Sequence, residues 1–271
     1  MSPQRIAELL EAHSKDCGRH VPGTEIVDTV RNAVREINGH ESAPWLLPKS
    51  NWPDYDPQKT FRIASRYWDF DLEKWHRESA VAPGEVTTGG ALTEFFQGGE
   101  FITVGFKKNY FETFPFSRKA IAHAHRLPFV VLNPMKHYWG LKKDGKTRSA
   151  KCDSNVKERR VLVIEFDAEK FEIGSSDLAE FLHIQAALHA HLETWLPLVL
   201  ITFSGNQSLH GTYATHLLPE EDLKLFMNEA VSIGADPALW VKSQFTRMPG
   251  GRDGRQSIHY FNPEVLYAPT P

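Results

Sequence analysis

The pattern of apolar and polar positions divides the chain into three stretches. Residues 3–39 predict two helices: in the second, Ile26, Val30, Val34 and Ile37 recur at helical spacing, Pro22, Gly23 and Thr24 stand at its start, and Gly39 follows its end. Residues 42–58 then hold four prolines and two tryptophans in seventeen positions, which breaks any helix and predicts an ordered connector. A boundary near residue 48 leaves 1–48 as a small N-terminal helical arm. Over 49–158 the pattern is mixed, with helical segments at Thr60–Trp75 and Ala91–Phe96 and extended apolar runs at Phe101–Phe106 and Pro128–Asn133. This is read as an N-terminal α/β module. Over 159–271 the periodicities are cleaner. Val161–Asp167 predicts a strand, Ser176–Trp195 a helix, Leu198–Phe203 and Leu209–Thr215 two strands, Pro219–Ile233 a helix, and Phe245–Met248 with Ile258–Phe261 two further strands.

The order β-α-β-β-α-β, with one strand added, predicts an α+β fold whose C-terminal part is a ferredoxin-like or RRM-like antiparallel sheet. Helices would cover one face and leave the other open for a site. With 271 residues, 41% hydrophobic and 24% charged, the chain can close a core and is not disordered or collagen-like. The first residues carry charges throughout, and no apolar run approaches a membrane span, so a cytoplasmic protein without membrane contact is expected. Two cysteines are too few for a disulfide framework or a cysteine-rich zinc module. A net charge of -3 excludes a uniformly basic coat and leaves local patches open.

Candidate chemistry sits at strand ends. In RRVLVIEFDAEKF, Glu165 and Asp167 end an apolar strand two positions apart, so both carboxylates lie on one face. Such a pair needs a divalent cation or a basic partner, and an oxygen-rich site suits Mg²⁺ or Mn²⁺. A turn at Asp167 and a surface pair of Glu165 with Arg159 or Arg160 is the plainer alternative. In LVLITFSGNQSLHG, a small polar turn with Gly205 and Asn206 leads into a strand on which Ser208 and His210 share a face, and amides, hydroxyl and imidazole together can hold a phosphate. An exposed hairpin tip explains the same residues. Asp236 follows the Gly234 that ends a helix, and Arg247 follows in SQFTRMPGG; a simple Asp cap of the turn led by Pro237 is the alternative there.

Residues 140–147 match the letters of a P-loop, but no strand leads directly into them and no helix is predicted after Thr147, so Asp144-Gly145 is read as a hairpin turn. A basic stripe at 142–160 includes Lys142, Lys143, Lys146, Arg148, Lys151, Lys157, Arg159 and Arg160, and Lys242, Arg247, Arg252 and Arg255 form a second run. Phosphate backbones or triphosphates are the natural partners of such runs. His183, His189 and His191 do not converge on one helix face and find no cysteine partner, so zinc is not expected.

In this order, the hhhEhD, S-x-H and h-D motifs resemble those of the archaeo-eukaryotic primase (primase-polymerase) superfamily. VLVIEFD carries Glu165 where many members have Asp. SGNQSLHG is similar to the S-G-x-x-S-L-H of primases carried by phages, plasmids and other bacterial mobile elements, and GADPALW with SQFTRMPGG resembles the same subgroup. The resemblance runs from about Trp52 to the C-terminus. It implies a DNA-dependent primase-polymerase that makes short primers on a single-stranded DNA template from NTPs or dNTPs. Glu165, Asp167 and Asp236 would hold two divalent ions, Mg²⁺ or Mn²⁺, about 3.5–4 Å apart. His210 would act with them, and Ser208, His210, Gly205, Asn206 and Arg247 would bind the nucleotide. Arg148, Lys151, Arg159, Arg160, Lys242 and Arg252 would contact DNA. A separate helicase would be needed. The alternative is a replication-initiation or DNA-binding protein that keeps the fold without catalysis.

Overall fold

The computed structural model describes residues 52–166, 168–171, 177–215, 218–252 and 254–267. A compact unit starts at Trp52. The helices anticipated within 3–39, and with them the arm 1–48, lie outside the described residues, as does Asp167.

Two capped helices open the unit: α1 (Pro57–Arg66) and α2 (Leu72–Glu78). Asp56 accepts from Lys59 N at 2.9 Å and Asp71 from Lys74 N at 2.7 Å. The single helix anticipated over Thr60–Trp75 is therefore two, because Asp71 takes up the free amides of a new first turn instead of continuing the old one. Trp75 of α2 is fully buried and donates its indole N–H to Ala186 O at 3.1 Å. Truncation of a tryptophan in such a place costs about 3–5 kcal/mol.

The next elements are α3 (Thr88–Phe95), the hairpin β1 (Phe101–Lys107) and β2 (Tyr110–Pro115), α4 (Arg118–Ala124) and β3 (Phe129–Met135). Neither β2 nor α4 was evident from the apolar pattern. The short strands β4 (Gly140–Leu141) and β5 (Arg148–Ser149) form a hairpin. Its turn is closed by Asp144 Oδ1, which accepts from Lys146 N and Thr147 N at 2.9 and 2.8 Å, with Gly145 at φ 67°. The P-loop letters thus spell a hairpin tip.

The remaining elements are β6 (Val161–Glu165), α5 (Leu178–Glu193), β7 (Leu198–Phe203), β8 (Leu209–Ala214), α6 (Glu220–Ser232), β9 (Thr246–Arg247) and β10 (Ile258–Phe261). The molecule is α+β. One antiparallel sheet has the order β10-β7-β8-β6, so β6 and β7 flank β8, and β10 adds beside β7. The second sheet has the order β2-β1-β3-β9. Strand β9 was anticipated in the C-terminal sheet; it pairs instead with β3, Phe129 facing Arg247 and Val130 facing Thr246. The stretches 49–158 and 159–271 therefore share a sheet.

A second departure concerns the open face. Leu162, Ile164, Ile201, Leu209, Tyr213 and Tyr260 pack under α5 and α6, while Val161, Val199, Leu200, Ala214, Ile258 and Phe261 pack against Ile102, Val104, Val130 and Leu132 of the other sheet. Both faces are covered. The reason was present in VLVI and LVLITF, which are continuous apolar runs rather than alternating ones, the pattern of strands buried on both sides. No helix among the described residues is long and apolar enough to cross a membrane.

Candidate functional site

The face shared with the second sheet stays polar only at its end, where β6 stops at Glu165. Register puts His210 of β8 opposite Glu165 on one side and opposite Thr202 of β7 on the other. Ser208, two residues earlier, projects from the same face. Its hydroxyl donates to Glu165 Oε1 at 2.7 Å. His210 Nε2 lies 3.4 Å from the same oxygen, and Nδ1 lies 3.1 Å from Thr246 Oγ1. A proton on Nε2 satisfies all three groups, since the carboxylate then accepts from the ring and Nδ1 accepts from the threonine hydroxyl.

Burial by itself would raise the Glu165 carboxyl. The His210 imidazole, the Ser208 hydroxyl and the Arg247 charge outweigh it and hold the group at about 2. Glu165 thus remains a carboxylate at any physiological pH. Arg247 lies on β9 with its guanidinium 4.9 Å from the centre of the Phe129 ring; burial and nearby Arg252 lower its pKa, whereas Glu165 raises it. The crossing of β9 into the second sheet brings both Thr246 and Arg247 over the end of β8.

Asp236 reaches the site by a different route. Phe166 bridges Ala235 in antiparallel fashion just beyond β6, and one step along that register sets Asp236 across from Glu165. Lys170 fixes this turn by donating to Gly234 O and Ala235 O at 3.3 and 3.0 Å. Asp236 also accepts from Ala238 N at 2.9 Å, as the cap of the turn that follows. The plainer reading of Asp236, a turn cap, is thus the one its side chain shows, while its backbone stands in register opposite Glu165. Among the described residues no group of three or more His, Cys, Asp or Glu side chains is arranged to hold a metal.

The Gly205–Asn206 turn differs from the phosphate-cradling one anticipated. Amides of Asn206, Gln207 and Ser208 converge on Ser204 Oγ at 3.3, 3.2 and 3.0 Å, so the turn's donors are used internally. Gly205 adopts φ 78° with its backbone against Arg255 O, which leaves no room for a side chain. The turn serves to aim Ser208.

The anticipated DNA contacts also divide. Arg160 is largely buried, bound to Glu100, Glu158 and Phe95 O, and Arg159 stacks on Trp240 and bonds Trp240 O and Glu220. Both are committed to internal pairs, so the surface pair with Glu165 does not form either. Lys157 is engaged by Glu100, and Lys242 lies near Glu220. Arg252 is exposed, at φ 51°. Besides Lys157, the exposed cations of the stripe are those of the β4–β5 hairpin: Lys142, Lys143, Lys146 and Arg148. Aromatic rings accompany them. Arg148 lies 3.8 Å from the centre of the Trp139 ring, and Lys151 lies 4.1 Å from that of Phe245.

Several residues of the site gave no sequence signal. Gln185 of α5 is fully buried, donates to Gln207 O at 3.1 Å and accepts from Leu209 N at 2.8 Å, tying the turn to the helix. The hydroxyls of Thr202 and Thr212 are buried beside His210 without a partner among the described residues. A threonine in a strand reads as ordinary β-propensity, so nothing marks these two. The three histidines weighed as zinc ligands have separate surroundings: His189 bonds Tyr213, His191 bonds Glu229, and His183 stacks on Trp68.

No protein-family model, curated protein or solved structure matches this chain.

Proposed function

We propose that this protein is a template-dependent nucleotidyltransferase of the primase-polymerase kind, built on an RRM-like frame, with Glu165, Asp167, Asp236, Ser208, His210 and Arg247 as its working residues. The observation that carries the reading is the convergence of Glu165, Ser208 and His210 at one end of one sheet, with the backbone of Asp236 one register step from the Phe166–Ala235 bridge. Those residues come from β6, β8 and the turn after α6, and they are among the ones that the motif order singled out.

The residues suit a divalent cation. Glu165 is held ionised, and Oε1 takes the Ser208 hydroxyl while Oε2 has no hydrogen-bond partner among the described residues. Asp236 adds a second carboxylate from across the bridge, and Asp167 is the third oxygen donor in the proposal. When bound, Mg²⁺ or Mn²⁺ would supply charge neutralisation for a triphosphate and acidify an attacking hydroxyl. The protein's own contribution is an exchange of partners. Glu165, Asp167 and Asp236 would hold the cation; the Ser208 hydroxyl and the His210 Nε2–H, both aimed at Glu165 Oε1, would then donate to phosphate oxygens, and Arg247 would offer a positive charge from the other sheet. Thr246 then keeps His210 in the tautomer that donates. The template strand is assigned to the β4–β5 hairpin, whose exposed cations follow the exposed Tyr138 and Trp139, a combination that contacts phosphates and stacks on bases.

The test is primer synthesis on single-stranded DNA with NTPs or dNTPs and Mn²⁺ or Mg²⁺. Wild-type protein makes short products. Asp167→Ala abolishes them while DNA binding persists, and Glu165→Gln lowers the rate at least a hundredfold. Full synthesis by the Glu165→Ala, Asp167→Ala double variant would sink the proposal. DNA binding by the wild type without any synthesis supports instead a replication-initiation or DNA-binding protein on the same frame.

A further inference from the structure

A second cavity, about 570 Å³, opens along the outer edge of β10. It collects side chains from four segments: His76 of α2, Thr87 and Thr88 at the start of α3, His125 just after α4, and Ser257 and His259 at β10. No carboxylate lines it among the described residues, which disfavours a cation as its occupant. The donors present favour an anion. His76 and His125 are exposed, and their side chains have no hydrogen-bond partner among the described residues, while His259 Nε2 is 3.0 Å from Ser257 Oγ. The first turn of α3 has no acidic residue, and Thr87 Oγ1 caps it by accepting from Gly90 N at 3.0 Å. Arg252 and Arg255, both exposed, belong to the loop leading into β10.

Burial, and then the charge of His76, make His259 harder to protonate. Both imidazoles line the same cavity, and a bound anion would favour their protonated forms. Sheet register fixes where the cavity lies. Ile258 pairs with Thr202, and Thr202 pairs with His210, so two strand spacings, about 10 Å, separate β10 from the His210 strand.

We propose that this cavity is a phosphate-binding site, distinct from the Glu165–His210 site, for the terminal phosphate of a nucleotide or of a nucleic-acid strand. His76, His125 and His259 hold the phosphate, with Ser257 and the threonine hydroxyls completing the donors. The site does not depend on nucleotidyl transfer at Glu165 and stands if that activity is absent.

The experiment is calorimetric titration of an Arg247→Gln protein, in which the charged one of the proposed triphosphate contacts at the other site is removed, with inorganic tripolyphosphate. Binding is expected, and adding His76→Gln and His125→Gln weakens it at least tenfold; both side chains are on the surface, so the melting curve stays unchanged. In wild-type protein, the His76 and His125 ring signals in NMR shift with tripolyphosphate while those of His183 do not. A parallel titration compares a single-stranded oligonucleotide bearing a 5′-phosphate with its 5′-hydroxyl counterpart. A preference for the phosphate that the histidine substitutions remove assigns the site to strand ends, and tripolyphosphate binding without that preference assigns it to free nucleotides. Absence of binding by either probe, or equal affinity with and without the histidines, overturns the proposal.

Discussion

Gly211 follows His210 on the central strand β8, and its missing side chain is required by what lies beneath it. A Cβ built there would stand 2.5 Å from both Cε1 and Nδ1 of His189, and 3.1 Å from Tyr213. His189 cannot step aside. It is fully buried, its Nδ1 is 2.8 Å from the Tyr213 hydroxyl, and Phe166 packs against its ring at 5.2 Å. Burial, reinforced by nearby His210, lowers its pKa to about 3, so the ring is neutral and fits its apolar surroundings only in that form. Gly211→Ala therefore overpacks the core, at about 1–3 kcal/mol, and displaces the His189–Tyr213 bond, which adds roughly 1 kcal/mol or more. The sum of about 2–4 kcal/mol far exceeds the few tenths to 1 kcal/mol that alanine gains over glycine in a strand. Urea unfolding followed by tryptophan fluorescence reads the loss. A double-variant cycle isolates its cause: His189→Ala is destabilising alone, yet it makes room for the new methyl, so the two changes together cost less than their sum by about 1–2 kcal/mol. Strict additivity, or a Gly211→Ala protein within about 0.5 kcal/mol of wild type, would refute the packing argument.

Three other outcomes follow from the same structure. Burial, aided by Glu78, raises the Glu193 carboxyl to about 7. The folded protein therefore holds this proton more tightly than the unfolded chain, and the resulting cost to stability grows from about pH 4.5 to pH 7 and is constant above. Glu193→Gln is accordingly neutral at pH 4 and stabilising by about 1–3 kcal/mol at pH 8 in thermal or urea melts, and a difference independent of pH would contradict it. Glu100, nearly inaccessible, accepts from Arg160, Lys157 and Gln97 N, so Glu100→Ala leaves Arg160 with only Glu158 and Phe95 O and loses about 2–3 kcal/mol, whereas exposed Lys157→Ala changes the melt by less than about 1 kcal/mol. On the proposed assignment of the template strand to the β4–β5 hairpin, Arg148→Ala and Trp139→Ala would both weaken single-stranded DNA binding. The first reduces the slope of log affinity against log salt by about 0.7, and the second removes about 1–3 kcal/mol and leaves that slope unchanged, which titrations at several salt concentrations distinguish.

The parts of the fold that were legible in the chain are those where one segment carries its own signal. The apolar runs at Val161–Ile164 and Leu198–Phe203 announced strands, whereas the caps at Asp56 and Asp71 were passed over, the second lying inside the single helix anticipated over Thr60–Trp75. The two-stranded hairpin at 140–149 was legible from Asp144-Gly145, because the turn chemistry is local. What was not legible depends on a partner distant in sequence. Strand β9 is two residues long and exists only because β3 offers an edge, so no periodicity could assign it to the other sheet. Charge runs were misleading for the same reason: Arg159 and Arg160 look like free cations until Glu100, Glu158 and Glu220 arrive from elsewhere in the fold.

The candidate site has the same division within it, and the division bears on how it would work. Glu165, Ser208 and His210 were legible because they belong to β6 and β8, whose register alone sets them together. Thr246 and Arg247 were not both legible, since their place at the site comes from β9 leaving its own segment for the second sheet. The ring of His210 is consequently held between sheets, with Nε2 toward Glu165 of one and Nδ1 toward Thr246 of the other. Any shift of one sheet relative to the other changes which nitrogen keeps its partner. In the proposed mechanism this makes Thr246 a positioning residue: it touches no reacting atom but selects the protonated nitrogen of one that does. Thr246→Val keeps the shape and removes the hydroxyl, so the structure predicts retained stability to within about 1 kcal/mol together with a displaced pH profile for primer synthesis. Thr246→Ser keeps the hydroxyl and restores the wild-type profile. An unchanged profile in Thr246→Val would mean that Glu165 alone orients the ring.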